Sequence, residues 1–212
     1  MNAAEMSPAL EAAGVVETRQ PDAAERAFAT LTLAFAADPP CRWLFPAPEQ
    51  YLRSFPAFAR AFGGAALARG TARLVERGAA LWLQPGAEPD EEALIALIED
   101  SIEEGQRGDT FALFAEMARV HPQEPHWYLP LIGVEPALQG RGLGSALILP
   151  VLKECDAAGL PAYLEATSPR NRPLYERLGF EVVAIAVADC PPITAMLRRA
   201  GTQMADRAIL RH

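Results

Sequence analysis

The 212-residue chain has no surplus of positive charge: 19 Lys and Arg stand against 27 Asp and Glu, for a formal net charge of −8 and a pI near 5.0. A sequence-independent grip on phosphate backbones takes clustered cations, so no nucleic-acid partner is expected. Cysteine is scarce, and Cys41, Cys155 and Cys190 lie far apart without a C-x-x-C pair. Neither a disulfide framework nor a zinc knuckle suggests itself, and a reducing cytoplasm is the expected compartment. No run approaches the ~18 apolar residues that span a bilayer, and MNAAEMSPALEAAG lacks a basic segment followed by an apolar one, so no membrane partner or leader is expected. There is no internal repeat and no low-complexity linker. One domain over residues 14–212 is expected, after a loose N-terminal end at residues 1–13.

Apolar periodicity divides the chain in two. The first half predicts a strand at Val15–Arg19 and a helix after Pro21 and Asp22 that carries Phe28, Leu31 and Phe35 and stops at Asp38-Pro39-Pro40. A helical stretch at Glu49–Arg69 follows, with breaks expected at Pro56 and at Gly63-Gly64. Strands Ala72–Glu76 and Ala79–Leu83 read as a hairpin around Arg77-Gly78, and Glu91–Glu104 and Thr110–Val120 read as helices. The second half alternates regularly: strand His126–Val134, helix Leu143–Ala158, strand Pro161–Thr167, short helix Asn171–Leu178, and strands Glu181–Val187 and Ile193–Leu197. Pro150 should kink the long helix or displace its start. The alternation predicts a layered, mixed α/β (α+β) architecture.

Within VEPALQGRGLGSALI, residues 134–148, a strand meets a helix through Gly140, Gly142 and Gly144. A helix N-terminus offers unpaired N–H groups and the positive end of the helix dipole, and glycine lets an anion approach them. With Arg141 as counter-charge, the segment suits a pyrophosphate; the alternative is a glycine-rich turn that binds nothing. A dinucleotide fingerprint would need its third glycine where Ser145 stands, and a P-loop would need a lysine. Neither fits. The pattern Q-x-x-G-x-G, met by Gln139, Gly142 and Gly144, does.

QGRGLGSALI, followed by LEATSPRNRPLYERLGF, resembles the acetyl-CoA-binding and C-terminal motifs of the GNAT superfamily of N-acetyltransferases. Over Pro125–Val182 the chain is similar to the bacterial puromycin N-acetyltransferases, and LTLAFAADPP resembles that group more weakly. The resemblance implies a twisted mixed sheet whose two central parallel strands splay apart around the pantetheine arm. It implies backbone pairing of that arm with Ile132, Gly133 and Val134. It also implies a pyrophosphate held by Gly140, Arg141, Gly142, Leu143, Gly144 and Ser145, with Gln139 in the same motif. Gly133 inside a strand independently suggests a bulge or a close backbone approach.

Acetyl transfer to an amine needs a neutral nucleophile, a stabilised oxyanion and a proton for the departing thiolate. Tyr175, within LYERLGF, is the candidate acid, since a phenol keeps its proton at neutral pH. Many relatives place an asparagine seven residues before this tyrosine, whereas Asn171 is four before it; Asn171 either contacts the cofactor or caps the helix. Glu165, within a predicted strand, is the candidate base, or else a structural carboxylate. Glu116, Glu124, His121 and His126 lie where relatives supply acceptor-side groups, without a motif to single one out. His121 and His126 are not at a trusted metal-ligand spacing, so no metal is expected. Cys155 falls on a helical core face, and Ser145 lacks the glycines of a G-x-S-x-G elbow. Trp43, Phe45, Trp82 and Trp127 read as core or as pocket aromatics. The expected activity is acetyl-CoA-dependent N-acetylation of a primary amine on a small molecule, by direct attack in a ternary complex, with a homodimer left open. The alternatives are a non-catalytic acyl-CoA sensor and a structural protein with an empty glycine turn.

Overall fold

The structure, a computed structural model, describes residues 16–17, 22–186 and 189–203. The loose end expected at residues 1–13 lies outside them. Among the described residues seven strands form one sheet in the order β1-β2-β3-β4-β5-β7-β6. These are β1 (Val16–Glu17), β2 (Arg73–Val75), β3 (Gly78–Leu83), β4 (Trp127–Val134), β5 (Ala162–Ala166), β6 (Glu181–Ala186) and β7 (Ile193–Arg198). The pairs β1–β2, β2–β3 and β3–β4 are antiparallel, β4–β5 is parallel, and β5–β7 and β7–β6 are antiparallel again. A parallel pair needs a crossover, and the helix between β4 and β5 provides it.

One face of the sheet is covered by that helix, α7 (Leu143–Ala158), and by α8 (Arg172–Arg177). Leu147, Ile148, Val151, Leu152 and Cys155 of α7 pack there with Trp82, Trp127, Leu129 and Met196. The other face carries α1 (Ala23–Ala34), α2 (Pro39–Leu44), α3 (Pro48–Gly63), the short α4 (Ala65–Ala68), α5 (Glu91–Ser101) and α6 (Glu104–Val120). Among the described residues no helix is long and apolar enough to cross a membrane. The predicted bounds of α7 hold, and Pro150 sits inside it without displacing its start.

Four local expectations change. Pro39 and Pro40 do not merely end α1; they open α2, whose first turn needs no proline N–H, and Asp38 Oδ1 caps it by accepting from Cys41 N at 3.2 Å. Pro56 stays inside an unbroken α3, because packing of its aromatic face outweighs one lost backbone bond. Gly63-Gly64 does end that helix, where a Cβ on Gly63 would stand 2.8 Å from Leu81 Cδ1. The β2–β3 turn is Glu76-Arg77, with Arg77 at φ 59°, and Gly78 already pairs with Val75. α5 ends three residues early, whereas α6 starts at Glu104, ahead of the expected Thr110.

The register between β3 and β4 slips. Leu81 faces Leu131 and Leu83 faces Tyr128, so Leu129 and Pro130 together oppose Trp82. Proline has no ladder donor, and a bulge accommodates it. Facing inverts at this point. Before the bulge Trp127 and Leu129 point to the α7 face; after it Ile132 and Val134 do, and Leu131 joins Tyr128 on the other side.

Buried Arg198 at the end of β7 ties the sheet to α7. Its guanidinium donates to Asp156 Oδ1 at 2.7 Å and Oδ2 at 3.0 Å, and also to the carbonyls of Leu178 and Thr202. Hydrogen bonding from Arg198 holds the Asp156 carboxyl below its usual range.

Candidate active site

β4 and β5 pair only at Trp127–Ala162, Tyr128–Tyr163 and Leu129–Leu164. Past the bulge β4 turns away, while β5 continues along β7 through Glu165 and Ala166. The strands therefore splay, and a cleft open to solvent lies in the gap. Leu129–Ile132 line one side of it and Leu164, Glu165 and Thr167 the other, with Asn171 and Tyr175 contributed from beyond β5.

The glycine turn stands at the end of β4. A short 3-10 turn, Pro136–Leu138, leads into it, and Gln139 Nε2 donates to Val134 O at 3.1 Å, pinning the turn to the strand. Gly140 at φ 78° and Gly142 at φ 81° are left-handed, a conformation that glycine adopts without strain. The first bond of α7 is Ala146 N–H to Gly142 O at 3.1 Å, and Gly142 gives no side-chain cap. The amides of Leu143, Gly144 and Ser145 thus precede the intrahelical ladder, as an anion cradle requires. Gly144 has a second reason to lack a side chain: a Cβ there would lie 3.1 Å from Leu174 Cδ2 of α8. Arg141 is exposed and forms no ion pair among the described residues; Leu143 and Ser145 are half-buried.

On β4, Ile132 is half-buried and lines the cleft, whereas Gly133 and Val134 are buried. The close approach expected at Gly133 comes from α1: a Cβ there would stand 2.5 Å from that of Ala34. The bulge lies instead at Leu129-Pro130. Proline within a strand was the available signal.

Tyr175 is buried on α8, its ring edge-on to Phe180, and lines the cleft. Burial, and then the Asp38 carboxylate, push its phenol well above the usual range, so it holds its proton. Asn171 stands at the N-cap position of α8, makes no side-chain capping bond there, and lines the cleft. Thr167 donates to Asp38 Oδ2, joining β5 to the start of α2. Burial raises the Asp38 carboxyl above its usual range.

Glu165 brings together residues that no motif had linked. Its side chain, only 6% exposed, accepts from the Tyr128 hydroxyl at Oε2 and from the Tyr163 hydroxyl at Oε1, 3.1 Å away. His121 Nδ1 lies 3.8 Å from Oε1, its ring edge-on to both tyrosines. His121 Nε2 is 3.0 Å from His126 Nε2, and His126 Nδ1 is 2.7 Å from the carbonyl of Glu124. A carbonyl only accepts, so His126 Nδ1 carries hydrogen. Burial holds the His126 pKa below its ordinary value, so the neutral ring accepts at Nε2 from His121 Nε2–H. In neutral His121 the bare nitrogen, Nδ1, then faces Glu165. Neither histidine joins a group of three or more potential metal ligands among the described residues.

Of the other candidates, Phe45, Trp82 and Trp127 are core and Trp43 is half-buried beside it; none lines the cleft. Cys155 is buried in the core, its thiol raised by burial to about 12. Glu116 pairs with Arg119 on the surface of α6. The aromatic side chains that do line the cleft include Phe58 and Phe62 of α3. Their series Tyr51, Phe55, Phe58, Phe62 follows helical spacing and was visible in the sequence.

The model of the acetyltransferase (GNAT) family matches residues 79–180, a span from β3 through the end of α8 that includes the splay, the glycine turn and Tyr175. These residues, just under half of the chain, are similar to a GNAT acetyltransferase domain. An uncharacterized N-acetyltransferase of Schizosaccharomyces pombe is 48% identical over 54 residues, 26% of this chain and 22% of that protein. A mycothiol acetyltransferase of Streptomyces avermitilis is 42% identical over 65 residues, 29% of this chain and 21% of that protein. The chain therefore spans only about a fifth of the length of either relative. Among solved structures, a histone acetyltransferase HPA2 and related acetyltransferase from Corynebacterium glutamicum aligns with TM-score 0.63 at 24% identity, over 90% of this chain and 97% of that one. A Drosophila melanogaster polyamine N-acetyltransferase aligns with TM-score 0.57 at 18% identity, over 87% and 98%. At these identities the structures establish the fold, a mixed sheet flanked by helices.

Proposed function

We propose that the protein is an acetyl-CoA-dependent N-acetyltransferase acting on a primary amine of a small molecule, in the branch of the puromycin N-acetyltransferases. The observation that carries the reading is that Glu165 and Tyr175 line one cleft, opened by the splay of β4 and β5 beside an uncapped glycine turn. Branch placement rests on QGRGLGSALI and NRPLYERLGF. The same reading takes residues 14–212 as one unit working in the cytoplasm, as a monomer or a homodimer.

Acetyl-CoA supplies the acyl group as a thioester. The amides from Gly140 to Ser145, with Arg141, hold its pyrophosphate; the main chain of Ile132, Gly133 and Val134, and Asn171, hold its pantetheine arm. Gln139 fixes the turn through Val134. Glu165 takes the proton of the incoming ammonium, so that the amine attacks as a neutral nucleophile. His121 Nδ1 faces the carboxylate and receives that proton, and its Nε2–H leads on to His126. Tyr175 keeps its hydroxyl proton until a thiolate departs.

The experiment is CoA thiol release with a panel of amines, puromycin included, for wild type and Tyr175→Phe, with acetyl-CoA binding measured separately. Amine-dependent release that falls at least about tenfold in the variant while binding persists supports the proposal. Normal binding without release on any amine favours the acyl-CoA sensor, and absence of binding overturns the reading of the glycine turn.

A further inference from the structure

We propose that the acceptor is a monoamine with a bulky apolar body, best an aromatic ring, and that linear polyamines and amino sugars are poor acceptors. This inference rests on the acetyltransferase reading and concerns which amine it serves. Beyond Glu165, the cleft is walled by Phe35 at the end of α1, Leu44 of α2, Phe58 and Phe62 of α3, and Phe114 and Met117 of α6. The rings interlock: Phe58 stacks on Phe62 with centroids 5.2 Å apart, and Phe62 meets Phe114 edge to face at 6.4 Å. This wall offers a flat apolar body continuous aromatic contact.

Charge on the wall is as informative as its shape. Glu165 is the single charged side chain among the described residues that line the cleft. It can pair with one ammonium. A second ammonium on the same acceptor would be carried against Phe and Leu side chains with no counter-charge, and burial of an unpaired cation is strongly disfavoured. Hydroxyl-rich amines meet a related obstacle. Of the neutral polar lining groups, Thr167 already donates to Asp38, and Asn171 and Tyr175 belong to α8 and its N-cap, not to the helices that carry the wall. A sugar ring against the wall would give up its water hydrogen bonds without replacement. A carboxylate at the reacting end and an apolar wall behind it select one amine on a greasy body.

The test compares 2-phenylethylamine, 1,4-diaminobutane and glucosamine as acceptors for the wild-type protein. CoA thiol release reports transfer, and calorimetric titration of each amine into the protein saturated with CoA reports binding. The expected result is a kcat/KM for 2-phenylethylamine about 10- to 100-fold above either competitor, from burial of one ring. Equal or better use of the diamine or the sugar keeps the acetyltransferase and overturns the acceptor class. Selective binding of 2-phenylethylamine without release keeps the acceptor class and overturns the transfer reading; neither binding nor release overturns both. Met117→Glu places a second carboxylate on the half-buried α6 wall. In a variant whose circular dichroism and acetyl-CoA affinity match wild type, the diamine-to-phenylethylamine ratio should rise about tenfold or more. An unchanged ratio there overturns the assignment of the wall.

Discussion

On the face covered by α7 and α8, the candidate pyrophosphate cradle is built from consecutive residues, Gln139 to Ser145; on the face covered by α1, α3 and α6, the groups around Glu165 come from His121, His126, Tyr128 and Tyr163. The first site works with main-chain N–H groups, so its demand on sequence is conformational and local: glycine where φ is positive or a helix passes close. The second works with side chains that meet only after β4, β5 and the end of α6 have packed. Recognition by backbone writes a motif; recognition by assembled side chains leaves scattered letters.

Four substitutions or conditions would break or sharpen that contrast. The largest effect is expected at the assembled site: Glu165→Gln should lower amine-dependent turnover by about a hundred- to thousandfold while acetyl-CoA affinity stays within twofold or so. Parallel kinetics and calorimetry check it, and a parallel loss of affinity would mean that the two faces are not separable.

Second is Asp156→Ala, which leaves the buried guanidinium of Arg198 with only carbonyl partners. Urea unfolding should show a loss of about 3 kcal/mol, the scale for removing one member of a buried ion pair. Third is Gly142→Ala. The position has open space but φ 81°, so the expected cost is about 1 kcal/mol of backbone strain. That strain should appear as weaker acetyl-CoA binding with an unchanged KM for the amine.

The smallest effect is a pH slope. Burial holds His126 below its unfolded pKa of about 6.5. Unfolded chains take up that proton first as pH falls, so the contribution of neutral His126 is complete above about 6.5 and is lost as pH drops toward the folded value. Urea midpoints between pH 8 and 5.5 should fall less steeply for His126→Gln than for wild type.

What was legible in the sequence follows the same division. The alternation of strands and helices after His126, the bounds of α7 and the glycine turn all rest on short-range chemistry and stand as expected. The splay could be named only through resemblance, since the parting of two strands leaves no local mark. Pro56 looked like a breaker because propensity is local, but α3 is held by the stacked face of Tyr51, Phe55, Phe58 and Phe62, which outweighs one missing bond. His121 and His126 looked unconnected at a spacing that suits no metal; the loop between α6 and β4 is what brings their nitrogens to 3.0 Å. Nothing local marks Arg198 for burial, since its carboxylate partner, Asp156, lies 42 positions away. Gly133 signalled a close approach, and the element that approaches it is α1.

The extra residue at Leu129-Pro130 divides β4 into two reading frames. Ahead of it odd-numbered side chains meet α7, and behind it even-numbered ones do. An alignment that slides a single gap across Pro130 would therefore exchange the positions that face α7 with those on the opposite face while leaving the identity score almost untouched. Any redesign of the cleft that transplants residues 131–134 has to count from the bulge and not from the start of the strand.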